Sequence, residues 1–179
     1  MKKFFCLHGL PRAGNTLLGS IINQNPKVAV TANSIIADML GELYILKYTD
    51  IFKNFPDHKS FDNVTKSLIQ SYYKDWPQDY IIDRHPWGFP INLKFLKRVQ
   101  EDIRIIVLVR DVEEILASFI KWSEKEPTSF VNQYEAKTIE EKCDMLMNQK
   151  GQIVKELIGI KHLLDLSLIH ISEPTRRLN

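Results

Sequence analysis

The residues best suited to chemistry form an anion-binding pattern near the start of this 179-residue chain. Gly9-Leu10-Pro11-Arg12-Ala13-Gly14-Asn15-Thr16 lies between an apolar run, Phe4 to Leu7, and a segment whose Leu17, Leu18, Ile21 and Ile22 fall at helical spacing. A strand-to-helix turn aims backbone N–H groups and the positive end of the helix dipole at one point, which favours a bound phosphate or sulfate. Gly14 permits close backbone approach, Arg12 supplies a forked positive charge and Thr16 a hydroxyl. The spacing imitates the nucleotide phosphate loop, Gly-x-x-x-x-Gly-Lys-[Ser/Thr], but Asn15 stands where the lysine belongs. Without that lysine, the outer phosphates of a nucleoside triphosphate lose their usual counter-charge, which argues against ordinary ATP or GTP hydrolysis.

A second anion site follows Ile105-Ile106-Val107-Leu108-Val109, which delivers Arg110 to the carboxyl end of a strand, where open α/β sheets bind ligands. Ser118 comes eight residues later on the next helix, between Ile115 and Trp122. That separation suits an extended anion. Taken alone, Arg110 serves equally well as a structural partner of Asp111. Asp111 itself occupies a place where phosphate-loop enzymes hold Mg²⁺, yet the adjacent arginine suits a metal badly, so no metal is expected. A third group, Asp83-Arg84-His85-Pro86-Trp87, also follows a strand. His85 is the leading general base, because imidazole titrates near neutrality, and Asp83 is the second. Trp87, Phe89, Tyr44 and Tyr48 line an acceptor pocket or fill the core. His8 reads as a structural histidine.

These groups need elements to hold them. Strands are expected at Phe4–Leu7, Val28–Val30, Tyr80–Asp83 and Ile103–Val109. The first helix starts at Asn15 and stops at Asn25-Pro26; another, capped by Ser34, runs to about Leu46. Asp50 to Phe61 reads as a loop, with Asp62 capping a helix that reaches Trp76-Pro77. Helices at Asn92–Val99 and Val112–Trp122, then a loop from Lys125 to Glu135, complete the alternation. Thr138, with Glu141 three residues on, opens one long amphipathic helix to Leu164, with Cys143, Leu146, Ile153, Leu157 and Leu164 inward and its Lys and Glu residues on a solvated face. Strands alternating with helices imply an α/β fold, a parallel sheet covered on both faces.

Composition narrows the classes. Twenty-four Lys and Arg against 22 Asp and Glu leave a net charge of +2, so any anion site must be local and no nucleic-acid coat is expected. The two cysteines, Cys6 and Cys143, make a poor disulfide framework and fit a reducing, cytoplasmic setting. No apolar run approaches the roughly 20 residues of a membrane span.

Leu10 to Leu18 resembles the 5′-phosphosulfate loop of sulfotransferases, which use 3′-phosphoadenosine 5′-phosphosulfate (PAPS). Val109-Arg110-Asp111 through Ser118 resembles the same family's 3′-phosphate motif, arginine-to-serine separation included. The resemblance covers about Phe4 to Trp122. It implies a phosphate-loop, three-layer αβα fold with a central parallel sheet, PAPS as co-substrate, and sulfuryl transfer to a hydroxyl or amine without a metal. The acceptor would be a small molecule, glycan, lipid or peptide. By the same resemblance Arg12, Ala13, Gly14, Asn15, Thr16 and Leu17 hold the 5′ end of the donor, Arg110 and Ser118 the 3′ end, and Arg12 and His85 are catalytic. Some members place a base in a Lys-x-His segment after a comparable strand, which Arg84-His85 matches loosely. Others use a glutamate after the second strand, where this chain has Val30-Thr31-Ala32-Asn33-Ser34. The rival readings are a phosphate-loop kinase using Mg-ATP and a non-catalytic domain that keeps the fold.

The family's later strand, Tyr-[Glu/Asp]-Asp-Leu-like segment and basic loop are absent. Residues 166–179 instead resemble a translated sequencing adapter, so the expectation is a domain over 1–165 that is incomplete at its C-terminus, followed by an artefactual tail. The alternative is a genuine strand from Leu168 to Ile171.

Overall fold

The structure, a computed structural model, describes residues 2–132 and 136–166. Four strands, β1 (Lys3–Gly9), β2 (Val28–Val30), β3 (Tyr80–Arg84) and β4 (Ile105–Leu108), form one parallel sheet in the order β2-β3-β1-β4. The connections are helical: α1 (Asn15–Ile22) after β1; α2 (Ile36–Leu46), α3 (Asp50–Asn54) and α4 (His58–Tyr72) between β2 and β3; α5 (Pro90–Val99) before β4. Beyond β4 come α6 (Val112–Lys125), a short 3₁₀ turn (Phe130–Asn132), α7 (Ile139–Met147) and α8 (Gln152–Asp165).

The register explains the layering. Phe4 pairs with Ile81 and Ile81 with Ala29, so this row points to one face, where Ile36, Leu40, Ile69, Leu93 and Leu96 of α2, α4 and α5 cover it. The alternate row, Leu7, Ile82 and Val30, points the other way and is covered by Leu18 and Ile22 of α1. A third cluster, Leu10, Ile115, Phe119, Val131, Leu146, Ile153 and Ile160, joins α6, α7 and α8 to the loop after β1. The expected α/β architecture, with a central parallel sheet between helical layers, is the observed one.

Several boundaries differ from expectation, each for a local reason. The segment from Asp50 contains α3, whose N-cap Thr49 accepts a hydrogen bond from Phe52 N–H. The next helix starts at His58 because Asp57 accepts from Ser60 N–H; Asp62 lies inside that helix and pairs with Lys47. β4 is shorter than the apolar run that marked it. The long helix from Thr138 is two helices. Thr138 and Glu141 do form the capping box, but the chain turns at Asn148 and restarts at Gly151. A Cβ on Gly151 would come within 2.2 Å of the Leu146 carbonyl oxygen, so the turn is too tight for a side chain there. The break rotates α8: Leu163 is buried, while Leu164 is 41% exposed. Both cysteines are free. Residues 133–135 of the expected loop, and the Leu168 to Ile171 strand alternative, lie outside the described residues.

Candidate active site

The loop between β1 and α1 is held from within. Asn15 is buried, and its side-chain amide donates to the Leu10 carbonyl at 2.8 Å. Leu10 N–H is bound to the Leu108 carbonyl and Ala13 N–H to that of Leu10. The residue at the lysine position therefore staples the loop instead of reaching a ligand, and the contribution left to Asn15 is its backbone N–H. Gly9 makes room for this staple, since a Cβ there would fall 2.1 Å from the Asn15 Oδ1. Gly14 caps α1 in the left-handed region (φ 96°) and makes no side-chain cap. The first-turn N–H groups of Asn15, Thr16 and Leu17 precede the first intrahelical bond, Leu18 N–H to the Gly14 carbonyl, and have no intrahelical acceptor. Arg12 also has positive φ, 60°, a conformation that costs a non-glycine residue energy.

The second motif folds onto the first. Arg110 Nη1 donates to the Arg12 carbonyl at 3.1 Å, while its Nε binds Glu114 at 2.8 Å. Asp111 does not engage Arg110 in these bonds; it caps α6, accepting from the N–H groups of Glu113 and Glu114. Arg12 Nε donates to the Ser118 hydroxyl at 3.1 Å, and its guanidinium lies 5.5 Å from the centre of the Trp122 ring. Arg12, Gly14, Asn15, Thr16, Leu17, Arg110 and Ser118 thus line one crevice of about 570 Å³. Its far wall is aromatic: Trp122 and Phe130, with ring centres 5.9 Å apart.

Two residues of the site were not singled out from sequence. Arg84, one register position from Asp83 and therefore on the opposite face of β3, reaches across to donate to the Thr16 hydroxyl at 3.0 Å. It was visible only as the neighbour of His85, although its strand parity places it beside α1. Glu156 was assigned to a solvated helix face. Instead it is 6% exposed and packed against His8. A signal was present: Ile153, Glu156, Ile160 and Leu163 have the spacing of one apolar stripe, so the carboxylate sits on the buried side.

His85 and Asp83 separate clearly. Asp83 is fully buried, takes hydrogen bonds from the Tyr73 hydroxyl and Trp87 Nε1, and belongs to the core. Burial raises its pKa. Trp87 is likewise fully buried core and lines no acceptor space. His85 Nδ1 lies 3.0 Å from the Ser34 carbonyl, which can only accept, so Nδ1 carries a proton and in the neutral ring Nε2 holds the lone pair. His85 faces a smaller pocket of about 190 Å³ that adjoins the crevice and shares Pro11, Asn15, Arg84 and Gln152 with it. Tyr44 lies elsewhere, in a 390 Å³ cavity between α2, α4 and α5. His8 is not the fully satisfied structural histidine expected: its Nε2 has no hydrogen-bond partner. Among the described residues no group of three or more His, Cys, Asp or Glu could hold a metal ion.

A parallel sheet with a glycine-bearing loop, an uncapped helix N-terminus and convergent arginines defines a phosphate-loop-like α/β protein that gathers positive charge at its carboxyl edge. Residues 5–161 match the model of the Sulfotransferase family, and the chain belongs to that family. No curated protein matches the chain. Among the described residues no helix is long and apolar enough to cross a membrane.

Proposed function

We propose that this sulfotransferase-family chain uses PAPS as donor and passes the sulfuryl group to a hydroxyl or amine. The observation that carries the reading is the bond from Arg110 to the Arg12 carbonyl, which closes two motifs 98 residues apart into one crevice. A ligand with anionic groups at two ends matches such a crevice better than a compact triphosphate does. The donor's 5′ end would meet the N–H groups of Gly14 to Leu17, the Thr16 hydroxyl, Arg12 and Arg84. Its 3′-phosphate would meet Arg110 and Ser118, and Trp122 with Phe130 offers aromatic surface for a purine. When bound, the donor supplies an activated sulfuryl group whose departure leaves charge on the bridging oxygen, by analogy with phosphoryl transfer. Arg12, Arg84 and the α1 N-terminus stabilise that charge from fixed positions. His85 Nε2 takes the acceptor's proton while Nδ1–H remains on the Ser34 carbonyl.

Isothermal titration tests the reading. 3′-Phosphoadenosine 5′-phosphate, the desulfated donor, is expected to bind without added metal and more tightly than Mg-ATP. Preference for Mg-ATP would replace this reading with a kinase.

A further inference from the structure

Resting on that reading, we propose that the small pocket beside the loop recognises an amino group, so that the acceptor is a small amino alcohol or the amino-alcohol end of a larger molecule, with Glu156 as the residue that selects it. The pocket is lined by His8, Asn33, Arg84, His85, Gln152 and Glu156. At its inner end a buried carboxyl oxygen lacks a donor. Glu156 Oε2 has no hydrogen-bond partner, while Oε1 takes one from Gln152. His8 Nδ1 lies 3.6 Å from that same Oε2, beyond hydrogen-bond range, and the unpartnered Nε2 of His8 packs against Gly88 and Gly159.

A buried carboxylate oxygen without a donor costs free energy. The group that best remedies this is donor-rich and cationic. An ammonium carries three donors, no acceptor and the complementary charge, whereas a hydroxyl carries one donor and brings lone pairs of its own. At the outer end of the pocket the chemistry reverses. Arg84 and His85 stand beside the loop there, and a cation would be repelled by the first while a hydroxyl suits the lone pair on the second. The pocket is therefore polar in two senses: amine inward, hydroxyl toward the loop.

The groups facing Glu156 from neighbouring elements are His8 on β1, Arg84 on β3 and His85 just after it. Burial pushes the Glu156 carboxyl up to about 7 and the His8 imidazole down to about 4. An ammonium bound beside the carboxylate would draw it back to the ionised form, so binding releases protons near neutral pH.

The test titrates the full chain with ethanolamine, and separately with ethylene glycol, by calorimetry and ligand-observed NMR. Each titration is run with and without saturating 3′-phosphoadenosine 5′-phosphate. Ethanolamine is expected to bind about tenfold or more tightly than ethylene glycol, and Glu156→Gln to remove that advantage. In the wild type, affinity for ethanolamine is expected to fall as pH drops below about 7, with protons released to buffer on binding. The pH series needs no variant and stands even if Glu156→Gln folds poorly. Equal binding of the two probes, no binding of ethanolamine, or unchanged preference in Glu156→Gln would overturn the proposal. Failure of the desulfated donor to bind would overturn the donor assignment instead, and the titrations without nucleotide score the amine site separately.

Discussion

Folding buries His8 and Glu156 against each other, and their protonation makes a sharp prediction for stability. The His8 pKa falls from 6.5 in the open chain to about 4 in the fold. The unfolded chain therefore binds the extra proton between those values, and the His8 contribution to stability rises with pH across that window. Glu156 behaves oppositely. Its pKa climbs from 4.5 to about 7 on folding, so its contribution is fully present below 4.5 and is lost as pH rises to about 7. Between 4.5 and 6.5 the pair cancels: folding moves one proton from histidine to glutamate and exchanges none with solvent. At about 1.4 kcal/mol per pH unit, each shift corresponds to roughly 3.5 kcal/mol at most. Urea denaturation at closely spaced pH values, for wild type, Glu156→Gln and His8→Gln, reads this directly. Relative to wild type, Glu156→Gln should gain stability as pH rises from 4.5 to 7, and His8→Gln should lose it from 4 to 6.5. Subtraction from wild type removes the slopes of all other groups. If the two difference curves share one sign, or both are flat, the proposed proton transfer within the pair is wrong.

Arg12→Ala is expected to lower the rate of sulfuryl transfer by about two to three orders of magnitude. Arg110→Ala is expected chiefly to weaken the desulfated donor, by about tenfold or more, as read by titration calorimetry. Gly9→Ala forces a Cβ against the Asn15 amide and the Leu108 carbonyl; denaturation should show a loss of about 2 kcal/mol, with weaker donor binding because the loop must shift. Thr138→Ala removes the side-chain half of the α7 capping box, leaving the bond from the backbone N–H to Glu141, and should cost about 1 kcal/mol in the same assay. Because α7 contributes no residue to the crevice lining, donor affinity should not change.

The parts of the site legible in the sequence were those written consecutively at strand ends. Arg110 follows an apolar run directly and Arg12 follows one after a short turn, and Arg110 and Ser118 lie on one strand-helix unit, so spacing alone placed them on one edge. Arg84 and Glu156 escaped because their meaning depends on parity and on partner. Arg84 points to the α1 face only because β3 alternates, and Glu156 matters only because His8 lies opposite it. The long helix failed for a related reason. Seven residues separate Leu146 and Ile153, two helical turns, so the apolar rhythm runs on across a break that Gly151 makes in space. At Asp50 to Phe61 the capping residues Thr49 and Asp57 were the usable signals, and the polar composition between them masked two helix starts.

The staple that Asn15 forms with Leu10 has a kinetic consequence. A loop whose shape is fixed by its own amide and carbonyl groups does not wait for an anion to mould it. Capture then becomes a collision between a charged solute and a finished receptor, with little chain ordering to be done afterwards. Its speed should follow the long-range pull of Arg12, Arg84 and Arg110, and added salt should slow arrival much more than it hastens departure.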